Sequence, residues 1–278
     1  MLIPELGRAI AMYYPGALPK QITLGGLKLE YLDEGQGSVI LYLHSSEGAN
    51  SDLELVRTLA KTHRVIMPAL PGFGLSETAA HVKTVDDMAY VCLDLLEELD
   101  LRDVTVVGSS LGGWLAVELA TKASDRVARL VLDNPLGLRF RKDATERQFP
   151  DLFQDLPGQW SGYFLAGSPA DPREWHTADN DTRLRAARNR EAFVKVAWSP
   201  YMHNPKLAGR IHRATVPALV LWGDQDTFAS KDYAQSYADA LPNAELKVIA
   251  GAGHFAFHDK PDAVASAVLA FAGQPQNA

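Results

Sequence analysis

Hydrophobic positions along the chain alternate between two rhythms. Short apolar runs read as strands: Val39–Leu43, Arg64–Met67, Val104–Val107, Arg129–Leu132, Ala218–Trp222 and Leu246–Ile249. Between them, helical spacing predicts helices over 51–61, 84–99, 110–122 and 230–241, and a last one after Pro261. Within 84–99, Val85, Met88, Cys92, Leu95, Leu96 and Leu99 fall on one face, and Thr84 with Asp87 reads as a capping pair. Residues 21–34 alternate around Gly25-Gly26 and predict an opening hairpin. The pattern therefore predicts an α/β fold with a mostly parallel sheet and helices on both faces.

The rhythm breaks between residues 134 and 213. That stretch is rich in aromatic, proline and charged residues, with helical rather than strand-like spacing. The expected organisation is a core from 1–133 and 214–278, interrupted by a helical cap over 134–213. The insert holds 13 Lys and Arg against 9 Asp and Glu, a balance of +4 that leaves −11 for the rest of the chain. A solvated helical surface explains that balance most simply; a lid that attracts anionic substrates is the sharper reading.

Composition narrows the classes. A 278-residue chain with 47% hydrophobic residues can build one large core. A formal net charge of −7 gives no basic field for nucleic acid. The single cysteine, Cys92, allows no internal disulfide. The start lacks a cationic segment followed by an apolar one, and no run approaches the roughly 18 apolar residues of a membrane span. A cytoplasmic location is the expectation.

The strongest chemical signal is Gly108-Ser109-Ser110-Leu111-Gly112-Gly113, which fits G-x-S-x-G with a strand before it and a helix after it. So tight a turn lifts the Ser110 hydroxyl above the strand end and needs glycine two residues to either side. The following helix aims its first N–H groups at the same place, so the Leu111 N–H can stabilise an oxyanion. A serine hydroxyl also needs a base, and the base an orienting carboxylate.

Other motifs accompany this one in order: His44-Ser45-Ser46-Glu47-Gly48, Pro71-Gly72-Phe73-Gly74-Leu75-Ser76, Trp222-Gly223-Asp224-Gln225-Asp226 and Gly251-Ala252-Gly253-His254. Together they make the chain resemble the α/β-hydrolase superfamily from about residue 20 to 273, in the branch with a helical cap after the sixth of eight strands. Dehalogenase and epoxide-hydrolase relatives carry aspartate where Ser110 stands. Many relatives read His-Gly where this chain has His44-Ser45.

His254, in a small loop after a strand, is the expected base. Asp226 is the favoured acid, with Asp224 and Asp133 as rivals. The resemblance places the second oxyanion N–H at Ser46. His44 is expected to brace the loop by hydrogen bonding, Glu47 to face solvent and Trp114 to pack behind the turn. His258, four residues past His254, has no third partner that would suggest a metal, and neither metal nor cofactor is expected. Phe149, Phe153, Trp160, Tyr163, Phe164, Trp175, Phe193, Trp198 and Tyr201 are divided between the cap's own core and the wall of an apolar pocket.

The leading expectation is hydrolysis of a carboxylic ester, lactone or thioester of a small, largely apolar molecule through an acyl-enzyme on Ser110. The alternative is carbon–carbon hydrolysis of a vinylogous diketone by the same residues. A hydroxynitrile-lyase-like proton transfer and a ligand-sensing receptor are readings from other classes. The expected partner is a small-molecule substrate, without nucleic acid or membrane; a homodimer is left open.

Overall fold

The computed structural model describes residues 14, 16–122, 125–141, 148–152, 154, 162–167 and 178–274. Eight strands form one sheet in the order β1-β2-β4-β3-β5-β6-β7-β8. They are β1 Lys20–Leu24, β2 Leu27–Glu34, β3 Val39–Leu43, β4 Arg64–Pro68, β5 Val104–Ser109, β6 Val127–Asp133, β7 Ala218–Gly223 and β8 Ala244–Ile249. β1 and β2 make the expected hairpin, and β2 also runs antiparallel to β4. Every other pairing is parallel. All six residues of β5 are buried, as a strand covered on both faces requires.

The helices are α1 Leu53–Leu59, α2 Val85–Glu98, α3 Leu111–Thr121, α4 Asn180–Ala197, α5 Lys231–Ala240, α6 Ala256–Asp259 and α7 Pro261–Ala272, with a 3₁₀ turn at Ile211–Arg213. α1 packs on α7 and α2 on α3, two groups that cover the sheet. α2 carries both halves of its capping box: the Thr84 side chain accepts from the Asp87 N–H, and Asp87 accepts from the Thr84 N–H.

Several strand boundaries differ from the sequence reading, with β5 running on to Ser109 and β7 to Gly223. β4 runs through Pro68, opposite Tyr31; a missing N–H costs least at the end of a strand. β6 extends to Val127 and Asp133. β8 begins at Ala244, before its apolar run. It is the edge strand, where one face meets water, so Glu245 and Lys247 belong to it as well.

Between β6 and β7 lie α4 and the 3₁₀ turn. Of the aromatic residues expected there, Phe149, Phe164 and Phe193 are buried and Trp198 is exposed. Phe153, Trp160 and Trp175 lie outside the described residues. Among the described residues no helix is long and apolar enough to cross a membrane.

Candidate active site

β5 ends in the sharp turn that the glycine spacing predicts. Ser110 stands at its crest with φ 50° and ψ −107°, a backbone region that non-glycine residues seldom enter. Such strain costs about 1–3 kcal/mol and persists only where neighbours over-determine it. Here the Ser110 N–H donates to the Asp133 carbonyl at 2.8 Å, while the Ser110 carbonyl accepts from Trp114 and Leu136 at 3.1 and 3.2 Å. Glycine on either side is a steric necessity. A Cβ on Gly108 would sit 2.2 Å from the Gly112 carbonyl oxygen, and one on Gly112 would sit 1.9 Å from that of Leu43.

The turn brings three expected residues together from distant parts of the chain. Ser110 Oγ lies 2.9 Å from His254 Nε2. His254 Nδ1 lies 2.8 Å from Asp226 Oδ2. With Nδ1–H donating to the carboxylate, Nε2 is left to accept the serine proton. Asp226 is anchored on its other side as well: Oδ1 accepts from the Phe228 and Ala229 N–H groups at 2.8 and 2.9 Å.

Asn134, which the sequence reading passed over, completes this arrangement. Its Nδ2 donates to Asp226 Oδ2 at 2.8 Å, and its Oδ1 accepts from the Gly223 N–H at 3.3 Å. It is fully buried with φ 45°. Asparagine tolerates that left-handed conformation better than most residues. An Asn directly after a strand and before Pro135 was the available signal.

The two rival acids sit elsewhere. Asp224 accepts from the Gly251 N–H at 2.7 Å and so fastens the loop that leads to His254. Asp133 lies at the end of β6, where Ser109 Oγ donates to its Oδ2 at 3.2 Å. Burial pushes the Asp133 carboxyl up to about 8.

His44 braces the loop after β3. Its Nε2 accepts from the Leu70 N–H at 3.0 Å and its Nδ1 donates to the Ser45 carbonyl at 2.7 Å. Burial pushes it down to about 4, so it is neutral at physiological pH. Ser45, standing where many relatives have glycine, gives its N–H to Asp52 Oδ2 at 3.1 Å. Tyr42 and Ser51 also donate to Asp52, whose carboxyl burial pushes up to about 7. Ser46 is buried in this loop, and Leu111 opens α3 on the other side of Ser110. Glu47 is half-buried rather than solvent-facing, because α4 covers its backbone.

Behind the turn, Trp114 is buried as expected, and its Nε1 donates to Glu118 at 3.1 Å. Phenylalanines box the imidazole. Phe228, Phe164 and Phe255 lie with ring centroids 4.9, 5.6 and 5.6 Å from His254. Ser110 and His254 are buried, at 2% and 0% exposure. An open cleft of about 660 Å³ is walled by Phe149, Tyr163, Asp226 and Phe228, on the carboxylate side of the site. His258 is exposed and its Nδ1 lies 3.9 Å from Asp259; among the described residues no cluster of three metal-ligating side chains occurs.

Such an arrangement can activate a hydroxyl and hold the resulting imidazolium in a water-poor setting. Known proteins with this architecture include both ester and carbon–carbon hydrolases. The chain is 28% identical over 264 residues to the 2-hydroxy-6-oxononadienedioate/2-hydroxy-6-oxononatrienedioate hydrolase of Paraburkholderia phymatum, spanning 89% of this chain and 92% of that one. It superposes on a meta-cleavage product hydrolase from Pseudomonas fluorescens with a TM-score of 0.73 at 21% identity, covering 91% and 96% of the two chains. A thermophilic esterase from Thermogutta terrifontis superposes with a TM-score of 0.70 at 22% identity, covering 92% and 98%. The family model described as alpha/beta hydrolase fold matches residues 39–261. With that match over most of its length, the chain belongs to the alpha/beta hydrolase fold family.

Proposed function

We propose that this hydrolase cleaves a carboxylic ester, lactone or thioester of a small, largely apolar substrate through an acyl-enzyme on Ser110. The observation that carries the reading is the unbroken line of hydrogen bonds from Ser110 Oγ through His254 to Asp226. Ser110 Oγ attacks the acyl carbon as His254 Nε2 takes its proton, and His254 then returns that proton to the leaving group. Asp226 fixes the imidazole tautomer and balances its transient charge. The N–H groups of Leu111 and Ser46 receive the oxyanion, and water completes the cycle by the same proton route. Residues 134–213 act as a cap over the core, and the phenyl rings around His254 favour an apolar acyl group.

A second reading rests on the near full-length similarity to the dienedioate hydrolase: carbon–carbon cleavage of a vinylogous diketone by the same residues. Fluorophosphonate labelling with peptide mapping tests what the two share. Modification of Ser110, abolished in Ser110→Ala, is expected; labelling elsewhere, or undiminished turnover by Ser110→Ala, overturns both. A panel of aryl esters beside a ring-fission dienoate separates them. Turnover of the dienoate with little activity on esters would decide for carbon–carbon cleavage.

A further inference from the structure

The helix α4 reaches the loop after β3 through one buried side chain. Asn189 is 3% exposed. Its Nδ2 donates to the Glu47 carbonyl at 2.6 Å, and its Oδ1 accepts from the Gly74 N–H at 3.4 Å. One amide thus joins the inserted segment to two loops of the core, the one bearing Ser46 and the one after β4. Space for it comes from Gly48, where φ is +90° and a Cβ would stand 2.3 Å from Asn189 Nδ2. The neighbouring Arg188 makes a separate tie, with Nη2 donating to the Ser76 carbonyl at 3.0 Å.

The same loop is held from the core side at Ser45. Asp52 accepts the Ser45 N–H at 3.1 Å, the Ser45 hydroxyl accepts the Glu47 N–H at 3.3 Å, and the Ser45 carbonyl accepts the Gly48 N–H at 3.1 Å. Ser46 therefore lies between a residue fixed by the core and a residue fixed by α4. Its N–H shares a peptide plane with the Ser45 carbonyl, which accepts from His44 and from the Gly48 N–H, and that Gly48 N–H shares a plane with the Glu47 carbonyl that Asn189 holds. Asparagine suits the outer tie because one planar group supplies both a donor and an acceptor. Aspartate would keep the acceptor for Gly74 and set a carboxylate oxygen against the Glu47 carbonyl.

We propose that Asn189 is a positioning residue for the Ser46 N–H, its hydrogen bonds to the Glu47 carbonyl and the Gly74 N–H completing the oxyanion site. The proposal rests on the serine-hydrolase reading and deepens it. The hydroxyl and imidazole can be in register while the oxyanion donor is misplaced, which makes the Asn189 tie itself a condition for turnover.

The test compares Asn189→Asp with Arg188→Met, using p-nitrophenyl acetate turnover, the rate of fluorophosphonate labelling and thermal melting. For Asn189→Asp, kcat and the labelling rate should each fall about 10–100-fold, below the loss on deleting an oxyanion donor outright, while KM changes less than about threefold. Arg188→Met cuts the adjacent tie and should leave kcat within about threefold. If Asn189→Asp does not fold, Asn189→Ser, which keeps a donor on a shorter arm, should show the same kcat-weighted loss. A kcat within twofold of the parent, a loss confined to KM, or an equal loss in Arg188→Met would overturn the proposal. Failure of the parent chain to label at Ser110 would instead overturn the serine-hydrolase reading beneath it.

Discussion

Asp133→Asn separates two roles that the sequence alone leaves tangled. Asp133 is buried at the end of β6, where the Ser109 hydroxyl donates to one of its oxygens. Desolvation is the main reason its carboxyl is pushed up from 3.8 to about 8, with the charges of Asp52 and Asp226 adding to it. The folded state therefore holds a proton that the unfolded chain releases. Stability from that proton is fully present below about pH 4 and is lost as pH rises toward 8, at about 1.4 kcal/mol per pH unit. Asparagine has no such titration. Urea melts of parent and variant should thus diverge by about 3 kcal/mol between pH 5 and pH 7.5, with the variant gaining on the parent as pH rises. Any fixed cost of the new amide, which brings two donors to a buried site, shifts the two curves by a constant and leaves the slope difference intact. In the same variant, kcat/KM on an aryl ester should stay within about fivefold, since the His254 Nδ1 hydrogen bond goes to Asp226 and not to Asp133. Parallel stability curves would refute the neutral assignment, and a loss of about 10⁴ in kcat would move the catalytic acid to Asp133.

Two further substitutions probe the site from other directions. Gly112→Ala places a methyl group 1.9 Å from the Leu43 carbonyl oxygen, so the turn must open; a loss above about 3 kcal/mol, or no soluble folded protein, is expected in chemical denaturation, and a near-parental melt would disprove the steric account. Asn134→Ala removes a buried donor from Asp226 and an acceptor from Gly223; it should cost about 1–3 kcal/mol in urea and lower kcat about tenfold with KM little changed, and unaltered kinetics would deny it a positioning role.

What could be read from the sequence was local. The opening hairpin, the capped α2 and the Gly-flanked Ser110 each declare themselves within a few residues, because turn chemistry, helix periodicity and steric crowding act over that span. His254 and Asp226 were reachable because each follows a strand, and strands of a parallel sheet deliver their C-terminal ends to one edge. Asn134, Asn189 and Asp52 escaped for the opposite reason. An asparagine on a polar-looking helix carries no mark that it will be buried against a glycine 141 positions earlier; its partners Glu47 and Gly74 lie 142 and 115 residues away. Glu118 is similar, a charged residue in mid-helix that burial explains only through Trp114 and Asn204. The misjudged Glu47 belongs with these, since its exposure depends on where α4 comes to rest.

Asp226, the acid we propose, and its rival Asp133 differ in the donors that the fold brings to them. Asp226 receives two backbone N–H groups, the Asn134 amide and the imidazole, which fill both of its oxygens. Asp133 receives the Ser109 hydroxyl on one oxygen and a weaker contribution from the Phe257 backbone. With few donors to replace its lost water, the Asp133 carboxyl is held in the protonated form. Strand ends carry both residues to the same edge of the sheet, so chain position alone does not select between them. Donor supply differs: the backbone turn at 226–229 and the left-handed Asn134 converge on Asp226, and fewer donors reach Asp133. The proposed acid is thus set apart from its rival less by its place in the chain than by the N–H groups that the surrounding loops bring to it.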